Sequence, residues 1–192
     1  MAHEVDWSEY YAASREKPLH PTFEWIEPHL PRGGTAYDLG CGVGQGTEWL
    51  VRHGFEVRAV DLEQEALDLT LERLGEGAPV QYVWSDFANL TLEPCDVVVA
   101  QFSLFFMARP AQERFWARLA ASLQPGGAFV GQFLGPNDDW VARGYGVFDR
   151  SEIDRMFSGW TIHGFEEADK DGHTSQGTAK HWHVYHVAAT KP

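Results

Sequence analysis

The sequence predicts a doubly wound α/β fold, with helices on both faces of a largely parallel sheet. Short apolar runs alternate with amphipathic segments along most of the chain, which is the pattern of βα units. Two further strand-like runs, 160–166 and 182–190, lie on either side of a polar turn that contains glycine, and they predict a terminal antiparallel hairpin. The length of 192 residues predicts one domain, residues 1–192.

Five strands are predicted before the hairpin, at 35–39, 56–60, 80–84, 96–100 and 128–134. The fourth is a continuous β-branched run of the kind found in buried parallel strands. Helices are predicted at 45–53, 64–74, 111–123 and 151–157, and Ser151 is the expected N-cap of the last one. Before the first strand, 7–15 and 22–30 predict a helical N-terminal extension.

Charge and hydropathy favour a small molecule as the partner. The formal net charge is −13, and no cluster of Lys and Arg forms the basic patch of a nucleic-acid binder. A polyanionic membrane surface is disfavoured for the same reason. No apolar run reaches the ~18 residues of a membrane-spanning helix, and residues 1–6 lack the basic and apolar regions of a signal peptide.

The two cysteines predict a reducing compartment. Cys41 follows the first predicted strand and Cys95 precedes the fourth, so in a parallel sheet they lie at opposite ends. A disulfide needs Cα atoms within ~7 Å. We therefore expect two free thiols and a cytoplasmic location.

The glycine-rich segment 37–46 (YDLGCGVGQG) predicts a cofactor site. A dinucleotide fingerprint, G-x-G-x-x-G, would need glycine where Gln45 or Thr47 stands. The pattern here is D-x-G-x-G-x-G, with Asp38 inside the turn. A carboxylate repels a pyrophosphate and attracts an ammonium group, so the loop favours a cofactor that is cationic at one end and disfavours an NAD-dependent oxidoreductase.

This loop resembles motif I of class I S-adenosylmethionine (SAM)-dependent methyltransferases, and with Asp61, Asp86 and the terminal hairpin the resemblance extends over nearly the whole chain. It implies a Rossmann-like seven-stranded sheet in the order 3-2-1-4-5-7-6, with an antiparallel last pair. The segment W-x-x-Y-Y at 7–11 resembles small methyltransferases of the tellurite-resistance and type 11/12 groups, where such a helix caps the cofactor. The expected organisation is a lid, 1–30, on a core, 31–192.

The resemblance also implies roles for the residues of the donor side. Asp38 would accept a hydrogen bond from the SAM ammonium, directly or through water, and Asp61 would accept from both ribose hydroxyls. Leu62 would lie against the adenine. The turn that lets the backbone approach the cofactor would consist of Gly40, Cys41, Gly42 and Gly44.

Other cofactor contacts are expected after the third and fourth strands. Asp86 and Phe87 occupy the position of the pair that meets adenine; a helix N-cap and a core aromatic residue are the alternatives. Gln101 and Phe102 occupy the position that contacts the cofactor and opens onto the substrate, although Gln101 is equally consistent with an ordinary loop contact.

The N-terminal aromatic residues and a later loop are the expected acceptor side. Tyr11 and Arg15 would reach the SAM carboxylate and Trp7 would help to enclose the sulfonium; ordinary aromatic packing against the sheet is an equal alternative. In the loop 135–148, the expected substrate contacts are Trp140, Arg143 and Tyr145, unless this loop is a plain surface connection.

The nine histidines do not predict a metal site. Strand alternation puts His181 and His183 on one face of the last strand and His186 on the other. No H-E-x-x-H or C-x-x-C pattern supplies further ligands. His181 is the first choice for a general base or substrate contact, because the last strand begins at the cofactor edge of the sheet.

The function predicted from these observations is methyl transfer from SAM to a small molecule, by in-line displacement at the sulfonium with S-adenosylhomocysteine (SAH) as product. The [DN]-P-P-[FY] motif of nucleic-acid amino methyltransferases is absent, since Gln101 and Phe102 begin that segment. The alternative is a methyltransferase-like protein that binds SAM or SAH without catalysis, as a sensor or partner subunit.

Overall fold

Seven strands form the sheet in the computed structural model, which describes residues 7–192. They are β1 (Gly34–Leu39), β2 (Phe55–Asp61), β3 (Val80–Trp84), β4 (Cys95–Ala100), β5 (Leu123–Leu134), β6 (Thr161–His173) and β7 (Ala179–Thr190). Their order is β3-β2-β1-β4-β5-β7-β6. The predicted fold class and strand order are confirmed. The first six residues of the predicted lid, 1–30, lie outside the described residues.

Strand direction determines where a ligand can bind. β1 pairs in parallel with β2 and β4, β2 with β3, and β4 with β5, whereas β7 is antiparallel to both β5 and β6. The carboxyl ends of β1, β2 and β4 therefore meet at one edge of the sheet. In open α/β sheets, ligands bind outside this edge.

Helices cover both faces of the sheet, and the central strands β1, β4 and β5 bury apolar side chains on both sides. The helices are α1 (Trp7–Ser14), α2 (Thr22–Ile26), α3 (Gln45–Arg52), α4 (Gln64–Leu74), α5 (Arg109–Ser122) and α6 (Arg150–Met156). Phe115 and Leu119 of α5 pack with Ile153 of α6 on one face. On the other face lie Leu50 of α3 and Ile26 of α2.

The predicted lid divides into two parts in the structure. Phe23 and Ile26 of α2 are buried against β5 and β7, and the Phe23 ring meets the Trp49 ring edge-on at 4.8 Å between centroids. The helix α2 is thus a layer of the core. In the described part of the extension, α1 and the segment between α1 and α2 cover the carboxyl edge of the sheet.

The N-cap of α6 differs from the sequence prediction. Asp149, not Ser151, occupies that position: its carboxylate accepts the Glu152 N–H at 2.9 Å, and the Glu152 carboxylate accepts the Asp149 N–H at 2.7 Å. This is a capping box, which satisfies two backbone donors reciprocally. Ser151 lies inside the helix and donates its hydroxyl to Asp149.

Cys41 and Cys95 are buried free thiols at opposite ends of the sheet, as predicted. Burial raises the pKa of both, that of Cys95 to about 11, which keeps the thiols protonated. Over residues 7–192, no helix is both long and apolar enough to cross a membrane.

We expect Asp149→Ala to lower the melting temperature by roughly 2–4 °C, because the substitution removes one half of the capping box. Ser151→Ala is the matched control and should change the melting temperature much less, since Ser151 makes no capping bond. Thermal unfolding followed by circular dichroism measures both. Equal losses in the two variants would contradict the assignment of Asp149 as the N-cap.

Candidate functional site

One large cavity, of about 1360 Å³, opens at the carboxyl edge of the sheet. It is bounded by the ends of β1, β2 and β4, by α1 and by the β6–β7 hairpin. The sequence-predicted residues that line it are Trp7, Tyr11, Asp38, Gly40, Cys41, Gly42, Asp61, Leu62, Asp86, Phe87, Gln101, Phe102, Trp140 and Arg143. The fold thus brings most of the candidate site residues to one place.

The glycine turn after β1 needs residues without side chains. Gly40 has φ of 75°, and a Cβ there would lie 2.5 Å from the Cβ of Ser103. Gly42 has φ of 53°, and its N–H donates to the Asp61 carboxylate at 3.0 Å. Only glycine adopts such backbone readily. The Tyr11 ring, from α1, lies over Gly42 and closes the cavity on that side.

Asp38 is a buried carboxylate on the floor of the cavity. It accepts the Thr47 hydroxyl at 2.7 Å, and burial raises its pKa to about 7. A Cβ at Gly46 would lie 2.9 Å from the Asp38 carboxylate, so glycine at that position makes the close approach possible. Neither Thr47 nor Gly46 carries a positive charge, so the Asp38 carboxylate can attract the ammonium group of a ligand.

Asp61 ties the end of β2 to the glycine turn. One carboxylate oxygen accepts the Gly42 N–H and the other accepts the Glu63 N–H at 3.1 Å. Burial raises the pKa of Asp61, and these backbone hydrogen bonds oppose that rise. Each carboxylate oxygen can accept a second hydrogen bond, so the residue can hold the turn and bind hydroxyl groups at once. These features fit the SAM cofactor that the sequence predicts.

The two residues after β3 make local contacts of their own. Asp86 accepts the backbone N–H of Asn89 at 2.7 Å and its side-chain amide at 2.8 Å, and these bonds lower the Asp86 pKa. The Phe87 ring stacks on Phe115 with 5.2 Å between centroids. Asp86 thus caps a turn and Phe87 packs in the core, which are the two alternatives to a role at the adenine. Both residues also line the cavity.

The residues after β4 are fixed by an amide network. The Gln101 side-chain oxygen accepts from the Gln132 amide at 2.8 Å, and the Phe102 N–H donates to Gln132 at 2.8 Å. Phe102 has φ of 52°, which is rare and strained for a bulky residue. Such strain persists where the surroundings over-determine it, and it clusters at ligand sites. Here it coincides with an aromatic ring that lines the cavity.

Five aromatic side chains, which we term the aromatic wall, line the part of the cavity beyond the glycine turn: Trp7, Phe102, Phe106, Trp140 and Trp182. Their rings contact one another in sequence. Centroids are 5.3 Å apart for Trp7 and Phe106, 6.0 Å for Phe106 and Trp140, and 5.1 Å for Trp140 and Trp182. Three of the five were predicted from sequence; Phe106 and Trp182 were not.

A buried ion pair joins the Trp140 loop to the hairpin. Lys180 donates to Asp138 at 2.5 Å, and both side chains are almost fully buried. Asp138 also accepts the N–H groups of Trp140 and His183 at 2.9 and 3.0 Å. The Lys180 ammonium lies 3.7 Å from the Trp182 ring centroid. Burial lowers the Lys180 pKa, and the ion pair with Asp138 opposes this effect by stabilising the charged ammonium group beside the aromatic wall.

The structure corrects the expected positions of Arg15 and His181. Arg15 forms an ion pair with Glu72 at 2.5 Å and does not line the cavity. His181 lies on the outer face of β7, where it contacts Asp169 and Asp171 at 2.7 Å each, and these contacts raise its pKa. Strand alternation directs its side chain away from the cavity, so His181 cannot act there as a general base.

Two further predicted residues support the site without lining it. Gly44 has φ of 79° and begins α3, and a Cβ there would lie 3.0 Å from Thr70 of α4. Its role is close packing, not approach to the cofactor. Tyr145 packs edge-on against Phe106 at 5.3 Å and against Trp140 at 6.0 Å, so it stands behind the aromatic wall.

His20 and His186 line the cavity and were missed by the sequence analysis. Their rings stack with centroids 4.7 Å apart and 9° between planes. The alternation along β7 did separate His186 from His181 and His183, but it could not tell which face meets the cavity. Among the described residues, no group of three or more His, Cys, Asp or Glu side chains is arranged to hold a metal ion.

A known protein family matches the part of the chain that contains the glycine turn and the strands β2, β3 and β4. Residues 36–127, a little under half of the chain, match a family described as "Methyltransferase domain". A carboxy-S-adenosyl-L-methionine synthase of Chromohalobacter salexigens is 30% identical over 137 residues, which cover 65% of this chain and 51% of the relative. The chain spans about half or less of the length of the first curated relatives that it matches.

Solved structures resemble the chain over nearly its full length. TehB from Haemophilus influenzae superposes with a TM-score of 0.76 at 16% identity, covering 96% of this chain and 67% of that one. The 1,6-didemethyltoxoflavin-N1-methyltransferase of Burkholderia thailandensis, with bound 1,6-didemethyltoxoflavin and SAH, has a TM-score of 0.68 at 21% identity and covers 100% and 92%. At these low sequence identities, the two structures show that the fold is shared and nothing more.

We expect Lys180→Met to lower the free energy of unfolding by about 3 kcal/mol, because it leaves the buried Asp138 carboxylate without its counter-ion. Lys170→Met, at an exposed position of the same hairpin, is the control and should be nearly neutral. Urea unfolding of both variants gives the two values. Similar small losses in both would mean that the ion pair does not anchor the Trp140 loop.

Proposed function

We propose that this chain, whose fold and residues 36–127 are those of a class I SAM-dependent methyltransferase, transfers the methyl group of SAM to a small molecule. The proposal rests on one observation, which is that a single cavity combines two regions of different chemistry. The glycine turn with Asp38 and Asp61 forms the donor half, and the aromatic wall forms the acceptor half.

The donor half supplies charge and shape for SAM. Asp38 would attract the ammonium group, Asp61 would accept the ribose hydroxyls, and the Gly40 and Gly42 backbone leaves room for the methionine part. Tyr11, over Gly42, would exclude water from above. Bound SAM supplies a methyl carbon that is already activated by a positively charged sulfur.

The cavity as a whole has room for SAM and a small acceptor together. A pocket for one drug-sized ligand has roughly 300–1,000 Å³, and the cavity exceeds this at about 1360 Å³, so donor and acceptor can be held together. Burial between aromatic rings orients the acceptor for in-line attack and removes its water. The net charge of −13 disfavours nucleic acid as acceptor.

Turnover is the test that separates this proposal from binding without catalysis. The intact chain is titrated with SAM and SAH by calorimetry, and SAH release is followed across phenols, heteroaromatic N–H compounds, thiols, amines and chalcogen oxyanions. SAH formation with any acceptor supports methyl transfer. Tight SAM binding with no SAH from any acceptor favours a sensor or partner subunit. Because some relatives are carboxy-SAM synthases, the products are also searched for carboxy-SAM by mass spectrometry.

We expect Asp61→Asn to weaken SAM binding by about tenfold to a hundredfold, because the charge-assisted hydrogen bonds to the ribose are weakened while one amide oxygen still accepts from the backbone. Arg15→Ala is the control: it removes only the exposed ion pair with Glu72 and should leave the Kd unchanged. Titration calorimetry gives both constants. An unchanged Kd in Asp61→Asn would contradict the proposal that Asp61 binds the ribose hydroxyls.

We expect SAM affinity to fall as the pH is lowered from about 8 to about 6. Asp38 has its pKa raised to about 7, so acid protonates the carboxylate and removes its attraction for the ammonium. The loss can reach about tenfold over this range, because the ionised fraction changes by that factor.

The control for this pH dependence is Asp38→Asn, which should bind SAM more weakly throughout and lose most of the acid-induced change. The ratio of the two Kd values across pH cancels any titration of SAM itself. A parallel pH dependence in both proteins would mean that Asp38 does not meet the ammonium group.

A further inference from the structure

Three histidines of the described part of the chain line the cavity, His20, His173 and His186, and the rings of His20 and His186 stack on each other. His20 lies just before α2, and His186 lies on β7. The Phe102 ring, next to Gln101 at the end of β4, meets both edge-on, at 5.6 and 6.0 Å between centroids. The pair therefore lies where the donor half adjoins the aromatic wall.

Hydrogen bonding assigns the proton of His20. Its Nδ1 accepts the backbone N–H of Thr22 at 3.3 Å and lies 3.0 Å from the Thr22 hydroxyl. A ring nitrogen that accepts a backbone N–H carries no hydrogen of its own, so neutral His20 has its hydrogen on Nε2. His20 can thus donate a hydrogen bond to a ligand.

His186 has no hydrogen-bond partner for either ring nitrogen within residues 7–192. Its Nδ1 is closed off from solvent, which leaves Nε2 as the nitrogen that a ligand in the cavity can reach. Because Nδ1 is out of reach, a ligand would bind at Nε2, which is available to accept a hydrogen bond close to the His20 donor.

The groups around His186 keep its ring neutral before the substrate binds. Burial lowers the pKa of His186 to about 4 and also lowers that of His20, and the proximity of His20 and Lys170 adds to the effect on His186. Glu166 faces it from β6, directly opposite in the strand register, and Gln132 faces it from β5. Glu166 lines the cavity too, and its charge raises the pKa of His20 against the larger effect of burial.

The aromatic wall limits the shape of the acceptor. Trp182 lies edge-on to Phe102, with 6.2 Å between centroids, and Trp140 follows at 5.1 Å from Trp182. Aromatic rings bind flat ring systems by offset or edge-to-face contact. A planar molecule held against this wall would bring a polar edge to His20 and His186.

We propose that His186 accepts the proton of the methyl acceptor while His20 donates a hydrogen bond to it, and that the acceptor is a planar aromatic or heteroaromatic molecule with an ionisable O–H or ring N–H. This inference rests on the proposed function. The acceptor heteroatom forms a bond to the methyl carbon, the C–S bond breaks, and its electron pair stays on sulfur to give SAH. The proton moves from the heteroatom to Nε2 of His186, beside Glu166, and leaves to solvent with the product.

The test compares His186→Gln with the unaltered chain on a series of phenols of increasing acidity, with thiophenol added. Glutamine keeps a hydrogen-bond acceptor but cannot take the proton. General-base catalysis is worth about 10²–10⁴-fold, so we expect kcat to fall by at least about a hundredfold for weakly acidic phenols. For nitrophenols and thiophenol, which ionise unaided at the assay pH, the ratio to the unaltered chain should approach one.

Two controls keep a structural effect apart from a catalytic one. His181→Gln changes a histidine on the outer face of the same strand and should leave every rate unchanged. The SAM Kd and the melting temperature of His186→Gln should match those of the unaltered chain, and His186→Asn serves as a second variant if glutamine perturbs folding.

Several results would overturn the inference. One is an equal loss in His186→Gln for acidic and weakly acidic acceptors. Another is formation of SAH from aliphatic thiols or amines but from no phenol or heteroaromatic N–H compound. The proposed function fails differently: the unaltered chain would then bind no SAM, or would give no SAH with any acceptor.

Discussion

The hydrogen bond from the Gly42 N–H to the Asp61 carboxylate is the contact on which the donor half depends. It joins the turn after β1 to the end of β2, two segments that the parallel pairing of these strands brings side by side. Because Asp61 also accepts from Glu63, the same carboxylate fixes the entry to α4. Without this tie, the left-handed glycine turn would have no partner for its inward N–H. Asp38 lies in β1, just before that turn, and its position follows from the parallel pairing of β1 with β2 and β4.

The acceptor half depends instead on how the terminal hairpin is anchored. The β6–β7 hairpin extends past the end of the sheet, and the Lys180–Asp138 ion pair holds the loop after β5 against it. A buried ion pair adds little net stability, but removing one partner is costly. The pair therefore specifies one arrangement of Trp140 and Trp182 more than it strengthens the fold. A defined wall of this kind is what an enzyme needs in order to orient a flat acceptor.

Sequence reasoning reached the fold and the donor half because their signals are local. The spacing of glycines, the carboxylates at strand ends and the alternation of apolar runs each concern residues within one βα unit. The acceptor half is made by contacts between distant parts of the chain, such as His20 with His186, and no local pattern reports them. The error at Arg15 has the same origin, since its partner Glu72 is 57 positions away. At α6, the sequence predicts Ser151 as the N-cap, but Asp149 is an equally good cap residue and only the backbone geometry identifies it.

Charge balance supports the proposed place of the two histidines beside a cationic cofactor. A sulfonium is attracted by Asp38 and Asp61 and repelled by any positive group nearby. The charge of Lys180 is compensated by Asp138, and burial lowers the pKa of His20 and His186, which favours their neutral forms. The two histidines can therefore offer hydrogen bonds without a positive charge of their own, and the proposed methyl transfer would convert the sulfonium into a neutral thioether. From that moment a proton on His186 meets less repulsion, so the loss of charge at sulfur and the gain of charge at the imidazole favour each other.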